Sequence, residues 1–207
     1  DNMVTVIDLE SRQAVKRIPV GVEPEGIAVS PDGKWAVSVS ETTNMVHWID
    51  AATYSVVANT LVDPRPRAAS FTADGKHLWV TSEIAGTLTV LDVESKQILH
   101  AVKFEIPGVT RELIQPVGVK IDGKGRWGYV ALGPANRVAV VDAAKMKVEK
   151  YLLVGQRVWN LEFSPDGKRL YTTNGVSNDI SIVDLERHKV VKSVGVGRYP
   201  WGVAVNP

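Results

Sequence analysis

Residues 26–62 read GIAVSPDGKWAVSVSETTNMVHWIDAATYSVVANTLV, and this one stretch holds the unit from which the chain is built. Gly26 to Ser30 reads as a first strand, and Pro31-Asp32-Gly33 as a turn in which Pro presets φ, Asp bonds nearby backbone and Gly supplies φ > 0. Trp35 to Ser40, Met45 to Asp50 and Val56 to Val62 read as the second, third and fourth strands. Val, Ile, Thr and aromatic residues fill these runs, and Gly, Pro, Asp and Asn separate them.

Working outward, the unit recurs. MVTVIDLES (3–11), MVHWIDAAT (45–53), TLTVLDVES (87–95), RVAVVDAAK (137–145) and DISIVDLER (179–187) align without gaps. Their aspartates, Asp8, Asp50, Asp92, Asp142 and Asp184, lie 42, 42, 50 and 42 residues apart. GIAVSPDGK (26–34), AASFTADGK (68–76), GVKIDGKGR (118–126) and NLEFSPDGK (160–168) keep the same step, and a fifth copy starts at Gly202. No stretch carries a helical period over a full window. Four strands repeating at about 42 residues predict an all-β protein, a β-propeller of four-stranded antiparallel blades. A sandwich or barrel would not require the fixed period. Residues 1–207 form one partial propeller on this reading, with four complete blades and remnants at each end.

The pattern V-x-V-I-D, then V-G-x-x-P-x-G-I-A-V-S-P-D-G-K, resembles the YVTN-type propeller repeat along the whole chain. Longer phrases are similar to a narrower group, the β-propeller proteins associated with PQQ-dependent alcohol catabolism in Gram-negative bacteria. These phrases are FEIPGVTRELIQPVGVK (104–120), ALGPANRVAVVDA (131–143), YLLVGQRVWNLEFSPD (151–166), YTTNGVSNDISIVD (171–184) and VGRYPWGVAV (196–205). The resemblance implies export to the periplasm and a ring of about seven blades. It implies as partners a periplasmic quinoprotein dehydrogenase or a cytochrome c. It implies no mechanism.

Against a ring of that size the chain is short. It opens on a third strand (Met3 to Asp8) and closes on a first (Gly202 to Val205), so a blade joined from the two ends would lack its second strand. Further N-terminal blades or a second chain are expected to cover the open faces, because exposed apolar blade faces and strand edges invite association. The opening at Asp1-Asn2-Met3, already inside a strand pattern, predicts that any targeting signal lies upstream.

Composition narrows the function. Lys and Arg total 24 against 23 Asp and Glu, a net charge of +1, which gives no overall field for nucleic acid or an anionic membrane. The absence of cysteine excludes disulfides, thiol catalysis, Cys-type zinc sites and covalent c-type haem attachment. No apolar run approaches the roughly 20 residues of a membrane helix. No G-x-S-x-G elbow, P-loop or H-E-x-x-H motif is present. His47, His77, His100 and His188 fall at different repeat positions, which argues against a shared metal. No catalytic residue, metal or cofactor is assigned.

Candidate binding residues concentrate on one rim, where second-to-third loops and blade-to-blade loops meet. The blade-to-blade loops align as Val22-Glu23-Pro24-Glu25, Pro64-Arg65-Pro66-Arg67, Ile114-Gln115-Pro116-Val117, Gln156-Arg157-Val158-Trp159 and Arg198-Tyr199-Pro200-Trp201. Proline recurs while its neighbours change, as scaffold and recognition residues would. Arg65, Arg67, Arg157 and Arg198, with Trp159 and Trp201, are expected to converge and suit a carboxylated or aromatic ligand or a protein partner. The other reading pairs these arginines with Glu23, Glu25, Glu41 and Glu83. The eight extra residues that stretch one interval to 50 fall within Phe104 to Gln115 and carry Glu105, Arg111 and Glu112. Insertions in repeat proteins often reach the binding face, and tolerated loops are equally common.

Asn2, Asn44, Asn136 and Asn178, with Gly86 in the same place, precede the third strand and are read as turn formers. The five repeating aspartates are read as bonding the turn that follows. The functional expectation is a non-catalytic exported propeller binding a partner or small ligand on its rim, accessory to periplasmic alcohol oxidation. The alternative is a propeller enzyme such as a metal-dependent lactonase, with Glu23, Glu41, Glu83, Asn136 and Asn174 as candidate metal ligands.

Overall fold

A computed structural model describes residues 1–206. Strands β1 (Met3–Asp8) and β2 (Gln13–Pro19) form a two-stranded sheet of their own. Four antiparallel four-stranded sheets follow, each running in sequence order from inner to outer strand. Blade one holds β3 (Pro24–Val29), β4 (Trp35–Ser40), β5 (Met45–Asp50) and β6 (Ser55–Leu61). Blade two holds β7 (Pro66–Phe71), β8 (His77–Ser82), β9 (Thr87–Asp92) and β10 (Ile98–Lys103). Blade three holds β11 (Val119–Ile121), β12 (Trp127–Ala131), β13 (Arg137–Asp142) and β14 (Lys147–Leu153). Blade four holds β15 (Val158–Phe163), β16 (Arg169–Asn174), β17 (Asp179–Asp184) and β18 (Lys189–Gly195). The only helical segment among the described residues is a 3₁₀ turn at Arg111–Leu113. The protein is an all-β propeller arc.

Local chemistry explains the blades. Asp32 accepts from the Ser30 hydroxyl at 2.6 Å and the Lys34 amide at 3.0 Å, closing the first hairpin. Asp74 and Asp166 repeat this with Thr72 and Ser164. The five repeating aspartates each cap the turn after the third strand, as Asp50 does by accepting from the Ala52 and Thr53 amides. Those hydrogen bonds hold the Asp8, Asp50 and Asp92 carboxyls below their ordinary range, because they favour the charged form.

Cores form between blades, not within them. Val37, Val39 and Trp48 of blade one pack with Leu78, Val80 and Leu91 of blade two. Trp79, Leu88 and Val90 pack with Val119, Val130 and Val141 of blade three. Tyr129, Val138 and Val140 pack with Leu161, Leu170 and Val183 of blade four. Inner strands approach closely near the axis: the Gly118 amide donates to the Trp159 carbonyl at 2.9 Å, and a Cβ on Gly118 would sit 2.8 Å from that oxygen.

The outer strands are covered on one face only: β6 alternates exposed and half-buried residues, and a bulge opposite Trp48 and Ile49 turns Val57 outward at 50% exposure. The fifth first strand is not a strand. Gly202 to Val205 has no ladder, because no second strand stands beside it to accept its hydrogen bonds. The Trp201 carbonyl does dock, accepting from the Asn160 amide group and the Thr173 hydroxyl. On the face of blade one, Ile27 and Val29 of β3 are 60% and 62% exposed.

One buried polar group gives a pH test. The Gly21 amide donates to His47 Nε2 at 2.9 Å, and His47 Nδ1 lies 2.6 Å from Asn59 Oδ1, so the ring is neutral with its proton on Nδ1. Burial lowers its pKa from the ordinary 6.5. Below that value the unfolded chain takes up a proton that the folded state refuses, so stability falls as pH drops. Denaturant titrations at about pH 7 and pH 5 are expected to show this loss in the parent and a smaller one in His47→Gln. Equal losses in the two proteins would remove His47 as the source.

Candidate binding rim

The aligned loops meet at the axis. Their fourth positions, Glu25, Arg67, Val117, Trp159 and Trp201, form a collar with one residue from each successive repeat. Arg67 is the hub. Its Nη1 lies 2.7 Å from Glu41 and 3.2 Å from Glu83, and its Nη2 lies 3.2 Å from Glu25. Its side chain is 8% exposed and that of Glu41 is 3%, so both charges are removed from water and each depends on the other. Arg65 Nε adds an ion contact 2.8 Å from Glu41, although its N–H is not aimed at the oxygen. Burial pushes the Glu41 carboxyl above its ordinary range, and Arg67 and Arg65 pull it back. The burial effect prevails.

The second reading of the arginines therefore describes Arg65 and Arg67, which are held by Glu25, Glu41 and Glu83. Arg157 is different. Its nearest carboxylate oxygen is Glu83 Oε1 at 3.7 Å, its side chain is 29% exposed, and its guanidinium stacks 4.3 Å from the Trp159 ring centre. Trp159 in turn meets Trp201 with centroids 4.5 Å apart and an interplanar angle of 42°. The Arg67 guanidinium lies 5.7 Å from the Trp201 ring centre. Trp201 stays 46% exposed and Tyr199 73%. The result is a cationic and aromatic surface resting on an ionic base of two arginines and three glutamates.

Three other expected residues stand apart. Arg198 is exposed and has no carboxylate within 4 Å among the described residues. Arg111 sits in the insertion, where its Nη2 donates to the Ala85 carbonyl at 3.3 Å. Glu23 accepts from the Thr42 hydroxyl at 2.8 Å instead of pairing with an arginine.

The asparagines read as turn formers do a second job. Asn44, Asn136 and Asn178 adopt φ of 56°, 55° and 57°, as their turns require. Their Oδ1 atoms then accept from the amides of Arg65, Arg157 and Tyr199, each 21 residues downstream. Those three residues are themselves left-handed, with φ of 62°, 55° and 51°. A non-glycine residue in that region costs on the order of 1 kcal/mol, and the asparagine bond helps hold it there. The signal was the fixed offset between Asn and rim residue. Asn136 and Asn174 are committed in this way or to Asp179 and Ser181, while Glu41 and Glu83 face guanidinium groups. Among the described residues no three His, Asp or Glu side chains are grouped to hold a metal ion. Among the same described residues no helix is long and apolar enough to cross a membrane.

No protein-family model matches the chain. Hydrazine synthase subunit beta of Kuenenia stuttgartiensis is 27% identical over 166 residues, 70% of this chain and 43% of that protein. The solved Kuenenia stuttgartiensis hydrazine synthase superposes with a TM-score of 0.74 at 27% identity, covering 82% of this chain and 48% of that one. A functionally unknown protein from Desulfotomaculum acetoxidans DSM 771 gives a TM-score of 0.81 at 17% identity, over 96% of this chain and 64% of the other. The dihydro-heme d1 dehydrogenase NirN, in complex with DHE, gives 0.77 at 20% identity, over 95% and 42%. The hydrazine synthase subunit and NirN are β-propeller proteins, which accords with the blades seen here. This chain spans less than half the length of hydrazine synthase subunit beta.

Proposed function

We propose that this chain is part of a non-catalytic β-propeller that captures a protein partner on the rim around Arg157, Trp159 and Trp201. The observation that carries the reading is the exposed stack: Trp201 and Tyr199 stand in solvent, and Arg157 covers Trp159 with little ionic engagement of its own. Trp, Tyr and Arg are the residue types that dominate binding energy at protein interfaces. The relative named a beta subunit supports a role within an assembly. The sequence phrases resembling the YVTN-type propellers of PQQ-dependent alcohol catabolism suggest the setting. In it the protein is periplasmic and the partner is a quinoprotein dehydrogenase or its cytochrome c.

Titration calorimetry of the full-length protein against these two partners tests the reading. Arg157→Ala combined with Trp159→Ala is expected to weaken the complex at least tenfold, since each truncation at an interface centre removes on the order of 1–2 kcal/mol. The Tm should hold within a few degrees, because both side chains stay partly exposed. Unchanged affinity, or no complex with either partner, would end the proposal. Fractionation of cells expressing the whole reading frame tests the compartment, and a cytosolic protein would rule out the periplasmic setting.

A further inference from the structure

The insertion that breaks the repeat contributes to the core and also builds a cavity. Phe104, Ile106 and Ile114 are buried in the cluster between blades two and three, so the segment is part of the packing and not a detachable loop. Beside them lies a cavity of about 540 Å³, bounded by the β8–β9 turn at Ala85 and Gly86. That volume falls in the range of small-molecule sites, roughly 300–1,000 Å³. Its floor is apolar, made by the three buried residues with Val109 partly covered.

The mouth is cationic. Lys103 and Arg111 line it, and neither has a carboxylate within 4 Å among the described residues. This contrasts with Arg65, Arg67 and Arg157, each of which faces glutamate. Arg111 is fixed only by its bond to the Ala85 carbonyl, and Lys103 by none. Glu105 also lines the cavity, its amide bonded to the Tyr151 hydroxyl at 3.1 Å. Two cations and one anion leave the mouth with one unbalanced positive charge.

We propose that this cavity binds a small monocarboxylate with an apolar body. Its hydrocarbon lies on Phe104, Ile106 and Ile114, and its carboxylate sits between Lys103 and Arg111. A neutral molecule of the same shape would bury the same apolar surface without engaging either cation, so the site discriminates by charge. The inference does not depend on the central rim.

Calorimetry on the full-length protein, with octanoate and 1-octanol as probes, decides the matter. Octanoate is expected to bind with a dissociation constant on the order of 100 µM, and 1-octanol at least about fivefold more weakly. Lys103→Gln with Arg111→Gln should weaken octanoate roughly tenfold and leave 1-octanol unchanged. Val109→Trp, which fills the cavity, should weaken both; the surface double variant decides the outcome should that protein fail to fold. Octanoate affinity should survive the Arg157→Ala and Trp159→Ala pair. Absence of octanoate binding, equal affinity for the two probes, an unaffected Lys103 and Arg111 variant, or a loss in the Arg157 and Trp159 variant would each overturn the proposal.

Discussion

Arg67→Ala is expected to destabilise the protein by about 3–5 kcal/mol at neutral pH, and the gap to the parent should narrow as the pH is lowered toward about 4. The reason is Glu41. Its side chain is 3% exposed and its two guanidinium neighbours are Arg67 and Arg65, of which only Arg67 is buried with it. Removing Arg67 leaves a buried carboxylate facing one half-exposed cation. Burial already raises the Glu41 pKa, and losing the larger of its two attractive partners raises it further. A folded-state carboxyl with a raised pKa holds a proton that the unfolded chain has released. Its penalty therefore grows as pH rises through the unfolded value and is relieved as pH falls.

Arg65→Ala is the control. With 42% of its side chain exposed, its contacts to Glu41 and Glu83 are screened, and the expected loss is at most about 1 kcal/mol. Denaturant titrations of both variants between about pH 4 and pH 7 give the comparison. Equal losses for Arg65 and Arg67, or an Arg67→Ala gap that does not move with pH, would show that the hub is not a buried ion cluster.

Trp79→Ala should also cost about 3–5 kcal/mol, a fall in Tm of roughly 10 °C for a chain of this size. Trp79 is fully buried on β8 and reaches into blade three, where Gly128 on β12 leaves room for its ring. A Cβ on Gly128 would collide with Trp79 Cζ3, with two further ring atoms within 3.0 Å. Gly128→Ala alone must displace a fully buried ring, and should cost about 1–3 kcal/mol or more. The two changes should therefore couple. In a Trp79→Leu background Gly128→Ala becomes cheaper, with an interaction energy of about 0.5–3 kcal/mol. Additive losses would show that the ring and the glycine do not share one space.

These two sites mark what a linear reading reaches. The blade unit was legible because turn chemistry is local: Pro31, Asp32 and Gly33 specify a hairpin among themselves, and Asp50 caps a turn only two and three residues away. The strand bounds Trp35–Ser40 and Met45–Asp50 came out as read for the same reason. The aligned loops also located the collar, since equal repeat positions in equal blades must face the same axis. Which arginine would be consumed by glutamate was not legible. Arg65, Arg67 and Arg157 look alike in sequence, and their difference is depth: 42%, 8% and 29% of each side chain remains exposed. The asparagine clamps and the cavity beneath the insertion were missed because each joins groups that the chain separates by a full turn or more.

The sequence alone determined that an apolar four-stranded unit recurs at constant pitch, and hence that the units stack about an axis. Periodicity and turn residues act through neighbours along the chain, so they can be read along it. The tertiary structure alone decided which charges are paired, which tryptophan is buried against which glycine, and where space is left unfilled. Those properties depend on distance and water exclusion between blades, and neither is written in the order of residues.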